Sequence, residues 1–470
     1  MRVILAEKPS VAQSIAAVLG ADQKKNGYLQ GENDLVSWCI GHLIELAPPE
    51  IYDARYAKWR REDLPIVPSA WESVVSDGTK KQFAVLKDLL NRTDVDEVVC
   101  ATDAGREGEL IFRMVYEKTG CTKPVKRLWI SSLEESAIRD GFRSLKPGTA
   151  YDALYHAALC RAQADWLVGI NGTRLYSRLY GTKLNVGRVM TPTLAMVVQR
   201  EKEIAVFQVE RFYTAQLSCG FPAQSGRIKT REEAERIRAS CHCKKAAVKQ
   251  IERRQKKEKP PKLYDLTALQ RDANRIYGYT AQQTLDYAQT LYEKKLATYP
   301  RTDSRFLTHD LRDRLPALIE CVAQVLPFAS GLPLAVHTQQ VIRDEKVSDH
   351  HAIIPTQNMT REALAQLPMG ERSILTLLAV RLLAATGEPC ETDEVTVTLD
   401  CEGHDFTAKG STVRQMGYKV FEETFRGSLG SRERKEQEYP IAPLEIGQMV
   451  GPVVATIREG QTTPPKRYTE

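Results

Sequence analysis

Over roughly its first 145 residues the chain alternates short apolar runs with helical stretches, and this alternation constrains the fold more than any other feature. Val3-Ile4-Leu5-Ala6 reads as a strand, and residues 9–19 as a helix with Pro9 suited to its first turn. Glu97-Val98-Val99-Cys100 is a second strand, followed by a glycine-containing turn and a helix over 109–118. Residues 125–130 form a third strand and 133–145 another helix. Such βα alternation predicts a parallel, Rossmann-like sheet flanked by helices. In open sheets of this kind, ligands gather beyond the carboxyl ends of the strands. Glu7 and Asp103 stand at two such ends, with Glu107 and Glu109 in the turn that follows. Hard carboxylate oxygens with few other ligands suit Mg²⁺, and Gly105 and Gly108 let the backbone turn tightly between the acids. The competing reading is a helix N-terminus decorated with favourable acidic residues.

Residues 151–205 read as helical and contain a basic turn, Gly187-Arg188. Strand-like patterns follow at 212–221 and 395–399, with a helical block at 263–385 inserted between them. Thr230-Arg231-Glu232-Glu233 is a capping box, Thr280 caps another helix, and Gly278 ends the helix before it. Cys241-His242-Cys243 predicts two sulfurs on one strand face. The basic cluster Arg253 to Lys259 is read as a solvated linker face or a DNA contact, and the polar stretch 427–438 as a loop.

Composition excludes several classes. The 470 residues are enough for about three domains. A content of 42% hydrophobic and 27% charged residues describes a globular chain, and the best apolar run, 374–385, is broken by Arg381, so no membrane span is expected. Residues 1–7 read as a strand rather than a secretion signal. The charge of +6 leans only weakly toward nucleic acid. Ten singly scattered cysteines, without C-x-x-C or zinc spacing, fit reduced thiols in a cytoplasm. No G-x-x-x-x-G-K-[ST] loop occurs, so ATP hydrolysis of that kind and a nucleotide cofactor are not expected.

Among 18 tyrosines, Tyr299 stands in Ala297-Thr298-Tyr299-Pro300-Arg301-Thr302-Asp303-Ser304. Pro300 forbids a continuing helix and pushes Tyr299 to extended backbone. Arg301 would then share its face and lower the phenol pKa toward a usable nucleophile. Alone, a Tyr-Pro-Arg stretch is usually a surface turn. His350-His351 cannot ligate one metal together from a helix, since adjacent residues face apart. One of the pair is a candidate phosphate contact or proton carrier.

Taken in order, these motifs resemble the type IA DNA topoisomerases, the topoisomerase III branch in particular. Ala6-Glu7-Lys8-Pro9-Ser10 resembles the opening motif, and Ala101 to Ile111 the acidic signature of a Toprim domain. Arg161-x-x-x-Asp165-Trp166-Leu167-x-Gly169-x-Asn171 and Gly187-Arg188-Val189-x-Thr191-Pro192-Thr193 resemble the DNA-gripping segments. Pro260 to Leu266, Tyr299 to Ser304 and His350 to Thr356 resemble the region around the family's tyrosine. The resemblance implies a multidomain α/β plus α plus β fold with a toroidal core. Its parts would be a Toprim domain at 1–150, a DNA-gripping domain at 151–205 and 426–470, a β arch at 206–262 and 386–425, and a helical domain at 263–385. It further implies ATP-independent, Mg²⁺-dependent breakage, passage and rejoining of single strands. Tyr299 would form a 5′-phosphotyrosyl link. Glu7, Lys8, Arg301 and His350 would be catalytic, and Glu7, Asp103 and Glu107 metal ligands. Arg161, Asp165, Arg174, Asn185, Gly187, Arg188, Met190 and Arg301 would contact DNA. Relaxation of negative supercoils, unlinking of DNA, and a monomer acting on nucleoid or plasmid DNA in a bacterial cytoplasm complete the expectation.

The sequence departs from the family pattern at two places. Gly105 replaces a second aspartate, which puts a second metal site in doubt, and Met190 stands where glutamine is common. The closing stretch Thr463 to Glu470 resembles a motif inside the family's last ring domain, so an incomplete ring is expected, without a zinc-ribbon tail. Two alternatives follow: a strand-binding protein that does not cleave, because the ring is incomplete, and another Toprim protein such as a primase or nuclease. The second leaves the match around Tyr299 unexplained.

Overall fold

The computed structural model describes residues 1–347, 350–430 and 440–469. Its N-terminal sheet has seven strands in the order Gln23–Lys25, Tyr28–Gln30, Asp34–Trp38, Arg2–Ala6, Glu97–Ala101, Val125–Arg127 and Lys146–Pro147. The four central strands run parallel, as the apolar runs separated by helices require, and the rest are antiparallel additions at the edges. Ala6 pairs with Ala101, so the residues after both strands leave the sheet side by side. Helix Arg106–Thr119 follows directly, starting three residues earlier than its sequence pattern suggested.

Helix Asp152–Tyr180 packs along Arg106–Thr119 and is followed by helix Met190–Ala205. The helical block holds Leu266–Tyr277, Ala281–Glu293, Leu315–Val325, Arg361–Gln366 and Met369–Ala385. Gly278, at φ 72°, closes the first of these, and Thr280 with Gln283 forms a capping box on the second. Helix Met369–Ala385 is buried on nearly all sides, which explains the apolar run at 374–385, and Arg381 in it pairs with Asp272 at 2.6 Å. No helix of the described residues is long and apolar enough to cross a membrane.

A second, antiparallel sheet runs Met449–Val450, Ala246–Glu258, Cys390–Cys401, His404–Gln415, Pro222–Gln224, Arg211–Ser218 and Val454–Gln461. Both of its edge strands come from the segment 426–470, which the sequence placed with the gripping domain. Val454–Gln461 pairs along the whole of Arg211–Ser218. Helix Lys419–Ser428 spans the expected boundary at 425 and buries Phe421 and Phe425 in the helical core. Among the described residues, the end of the chain meets helix Met190–Ala205 through Arg467–Glu201 at 2.7 Å and Arg200 to Lys466 O at 2.6 Å. The loop expected at 427–438 falls mostly outside the described residues.

Two local expectations are corrected. Cys241 ends helix Arg231–Cys241 and is buried, whereas Cys243 is exposed at φ 60°, so a chain reversal separates the sulfurs. The basic cluster is the outer half of strand Ala246–Glu258, where Lys256 and Lys257 pair across the ladder with Glu394 and Glu391. All ten cysteines are free.

Candidate active site and its relatives

Glu7 and Asp103 emerge from neighbouring strand ends, and the Asp103 N–H donates to Glu7 Oε2 at 3.3 Å. The turn carrying Asp103 is pinned by two bonds: Thr102 Oγ1 donates to Gly108 O at 2.8 Å, and Arg127 Nη2 donates to Asp103 O at 2.7 Å. A Cβ on Gly108 would lie 2.1 Å from Asp103 O, so only glycine fits. Gly105 is different. Its backbone is extended, and a Cβ there would meet nothing within 4 Å.

Tyr299 comes from the helical block and is buried in the sheet's core cluster, at 7% exposure. Its N–H donates to Ser131 O at 3.1 Å, while Thr298 bonds to Ile354 O and Ala352 O on its other flank. The Tyr299 phenol and the Asp103 carboxylate act on each other electrostatically: Asp103 raises the phenol and Tyr299 lowers the acid. Tyr292 packs edge-on against its ring at 5.3 Å, and His350 lies 4.4 Å from it, centroid to centroid. His350 Nδ1 is 3.0 Å from Ser131 Oγ, and its buried Nε2 has no hydrogen-bond partner among the described residues. Lys8 Nζ contacts Glu293 Oε1 at 3.2 Å, tying the start of the sheet to helix Ala281–Glu293.

The electrostatics follow from burial. Glu7 is pushed up to about 7 by desolvation and by the charge on Asp103, against the pull of the Asp103 N–H, Lys8 and Arg301. Asp103 is also raised by burial, with the Tyr299 hydroxyl opposing. The phenol of Tyr299 is pushed up by burial and by both carboxylates, and Arg301, which the sequence expected to lower it, is outweighed. His350 is pushed down to about 3 by burial and by His351, so it is neutral. Arg301 itself is exposed.

Other expected residues fall elsewhere. Glu107 turns away from Glu7 and Asp103 and pairs with His42 Nε2 at 2.7 Å, lowering its own pKa and raising that of His42. Among the described residues no group of three or more His, Cys, Asp or Glu is assembled for a metal. The pair His42–Glu107 lines a cleft of about 400 Å³ whose other wall carries Arg161, Asp165 and Trp166. Asp165 gathers Arg188 at 2.5 Å and Arg161 at 3.9 Å. Asn185 and Met190 are exposed on the connection between the two long helices, and Gly187 N–H donates to Thr191 Oγ1 at 3.1 Å. Arg174 does not face solvent: it is 5% exposed, donates to Tyr56 O at 2.7 Å and lies over the Trp59 ring. A guanidinium so enclosed has no free edge for a phosphate.

The sequence reading missed Arg127 and Trp129. Arg127 is fully buried, 3.1 Å from Glu109 Oε2, and donates to the carbonyls of Cys100, Thr102 and Leu128 as well as Asp103. Trp129 stacks on His350 at 6.3 Å. The available signal was an arginine just before the apolar Leu128-Trp129-Ile130, in a strand that follows an acid-rich helix.

Comparison with known proteins agrees with this architecture. A DNA topoisomerase family model matches residues 149–470, and a Toprim domain model matches residues 2–133. DNA topoisomerase 3 of Bacillus licheniformis is 42% identical over 486 residues, covering 100% of this chain and 66% of that protein. The Bacillus subtilis protein of the same name is 41% identical, with the same coverage. Among solved structures, full-length topoisomerase I from Thermotoga maritima matches with a TM-score of 0.75 at 24% identity, over 99% of this chain and 73% of that one, a likeness of fold. The chain thus spans about two thirds of the length of the curated relatives it matches. With the whole chain matched to proteins named DNA topoisomerase 3, and the two family models falling on the sheet that holds Glu7 and Asp103 and on the remainder that holds Tyr299, the chain belongs to the type IA DNA topoisomerase family.

Proposed function

We propose that this chain breaks and rejoins single-stranded DNA at Tyr299, relaxing negative supercoils and unlinking strands without a nucleotide cofactor. The observation that carries the proposal is the buried Tyr299, whose ring lies 4.4 Å from that of His350 and whose phenol is raised by the charges of Asp103 and Glu7, two acids joined at neighbouring strand ends. Tyr299 Oη attacks a backbone phosphorus, the P–O3′ bond breaks, and a 5′-phosphotyrosyl ester forms. The phenol proton passes to Asp103, the acid that acts on it most strongly. The departing 3′-oxygen takes a proton from Glu7, whose pKa near 7 leaves it partly protonated at neutral pH. Rejoining reverses each transfer, and the ester retains the bond's energy. Lys8 and Arg301 supply positive charge near the two acids, and the open Nε2 of neutral His350 is free to bond a phosphate oxygen. Because Tyr299 is enclosed, the helical block must part from the Toprim sheet to admit a strand.

The pair Glu7–Asp103 fits Mg²⁺: two hard carboxylates share a buried space, where desolvation and then the charge of Asp103 hold Glu7 above its usual range. When bound there, Mg²⁺ supplies charge neutralisation for the acids and the transferring phosphate. Glu107 joins this pair only on releasing His42. The strand lies along the Arg161–Asp165–Arg188 wall, next to Asn185, Gly187 and Met190. We place the reaction in a bacterial cytoplasm, on chromosomal or plasmid DNA, with the protein as a monomer.

The test uses single-stranded DNA labelled at its 3′ end, incubated with the chain and Mg²⁺ and then denatured. A labelled covalent adduct is expected, lost in Tyr299→Phe, whereas 5′-labelled DNA leaves the protein unlabelled. An undiminished adduct in Tyr299→Phe sinks the assignment. Strand binding with no adduct under any condition returns the chain to a binding protein that does not cleave.

A further inference from the structure

The long helix Asp152–Tyr180 is furnished differently at its two ends. Arg161 and Asp165, near its start, face the cleft beside the candidate active site. About 25 Å further along, at the usual rise of an α-helix, Arg178 and Leu179 line a second hollow with Arg60, Arg61 and Glu62. This hollow has a volume of about 360 Å³. Among the described residues, neither a hydrogen bond nor an ion pair engages the side chain of Arg60, Arg61 or Arg178. Three guanidiniums thus meet around one space with Glu62 as the only carboxylate on its wall.

The arrangement is held in place. Arg60, Arg61 and Glu62 sit on a strap fastened to the helix on both sides. Before them, Arg174 donates to Tyr56 O at 2.7 Å and lies 5.4 Å from the centre of the Trp59 ring. After them, the Asn171 side chain bonds both backbone groups of Ile66, at 2.6 and 2.9 Å. The enclosed Arg174 is therefore part of what positions the exposed arginines. In the same last turns of the helix, Tyr176 and Tyr180 stack on each other at 6.4 Å and are 47% and 69% exposed. Guanidiniums carried on a fastened backbone, without internal partners and near exposed aromatic faces, suit a polyanion that also carries flat rings.

We propose that this hollow is a second backbone-binding site for the single strand, engaging phosphates that lie beyond those held at the Arg161–Asp165–Arg188 wall. The proposal rests on the single-strand reading above and extends it. A strand of about 5 nucleotides is too short to occupy both places, whereas one of about 20 exceeds the usual single-strand site size and reaches both. Arginine chemistry favours phosphate oxygens over a point contact, because the planar fork bonds two oxygens at once.

The experiment measures binding of fluorescent oligodeoxythymidines of both lengths over a range of salt. It uses the full chain and the variant R60A/R61A/R178A. For the long strand, the variant is expected to bind at least about tenfold more weakly near 0.1 M salt. The slope of log affinity against log salt should fall by about 2, the loss of three phosphate contacts at ~0.7 each. Affinity for the short strand should stay as it was. An unchanged long-strand slope in the variant, with wild-type adduct intact, overturns the second site and leaves the Tyr299 reading standing. An equal loss on both lengths also overturns it, since a separate site acts only on strands that reach it. Failure of the wild type to bind either strand, while an acidic polypeptide binds through the same arginines, overturns the single-strand reading itself and reassigns the hollow to a protein partner.

Discussion

Two buried clusters of ionisable groups sit on the same sheet edge, and they are built on opposite terms. Around Arg127, opposite charges are paired: the guanidinium donates to four carbonyls through its Nη atoms, its Nε lies 3.1 Å from Glu109 without a hydrogen bond, and Glu109 also receives Arg113 at 3.0 Å, which in turn reaches Asp152 at 2.8 Å. Around Tyr299 the charges are left open. Two carboxylates share one space, a phenol is pushed up, a histidine is pushed down, and one histidine nitrogen has no partner. Folding tolerates an unbalanced cluster when the cost is a few kcal/mol and the imbalance is what a ligand later corrects. The balanced cluster holds the Asp103 turn in place; the open one is where a phosphate and a cation would find their partners.

The largest effect should come from unbalancing the first cluster. Arg127→Met keeps an unbranched apolar stem but leaves Glu109 to Arg113 alone and four carbonyls without their donor. Removing one partner of a buried pair costs about 3–5 kcal/mol, and denaturant unfolding should show that loss. A loss under about 1 kcal/mol would mean that the network is incidental and that the contrast between the clusters is empty.

The contrast also explains what the sequence could show. Strand and helix periodicity is local, so the parallel sheet was legible, and with it the positions of Glu7 and Asp103 at strand ends. Partners from distant segments were not. Arg127 reads as a solvent-facing strand end until Glu109 of a preceding helix is known to lie beneath it. Tyr299 meets His350 across 51 positions and meets Asp103 across the boundary between two folding units, so only the resemblance pointed to it. The strand Val454–Gln461 buries only Ala455 fully, which is too weak an alternation to reveal that it closes a sheet begun at Arg211. Arg174 was expected at the DNA from the resemblance, and a motif match does not show which arginines are enclosed.

The open cluster should show itself in the pH dependence of stability without divalent cations. Glu7 titrates near 7 in the folded chain against an ordinary value of 4.5. Between those values the folded state holds more protons than the unfolded state, so this group's contribution makes stability fall as pH rises through the window. Glu7→Gln removes that penalty and should stabilise the chain by about 2–3 kcal/mol at pH 8, with no gain at pH 4. Lowered His350 acts in the opposite sense below 6.5, where the unfolded state binds more protons, but it cancels in the difference between wild type and variant. Adding Mg²⁺ at ~100 times its dissociation constant should raise wild-type stability by about 2.7 kcal/mol at pH 8 and the variant by less. An equal gain in both would place the cation away from Glu7.

The smallest effects separate the two glycines of the acidic turn, one in each cluster. Gly108 belongs to the balanced cluster, because its missing side chain is what lets Asp103 O approach while Arg127 bonds it. Gly108→Ala should cost about 1–3 kcal/mol, as overpacking against backbone does, and should displace Asp103 from Glu7. Gly105 borders the open cluster, and a Cβ there meets nothing. Gly105→Ala should change stability by no more than about 0.5 kcal/mol in thermal unfolding. If so, no steric constraint on the turn excludes an acid at 105. Gly105→Asp should then fold normally and, with a third carboxylate beside Glu7 and Asp103, bind Mg²⁺ more tightly by calorimetry. A large stability loss in Gly105→Ala would instead show that both glycines serve the turn, and that the boundary between the two clusters lies beyond position 105.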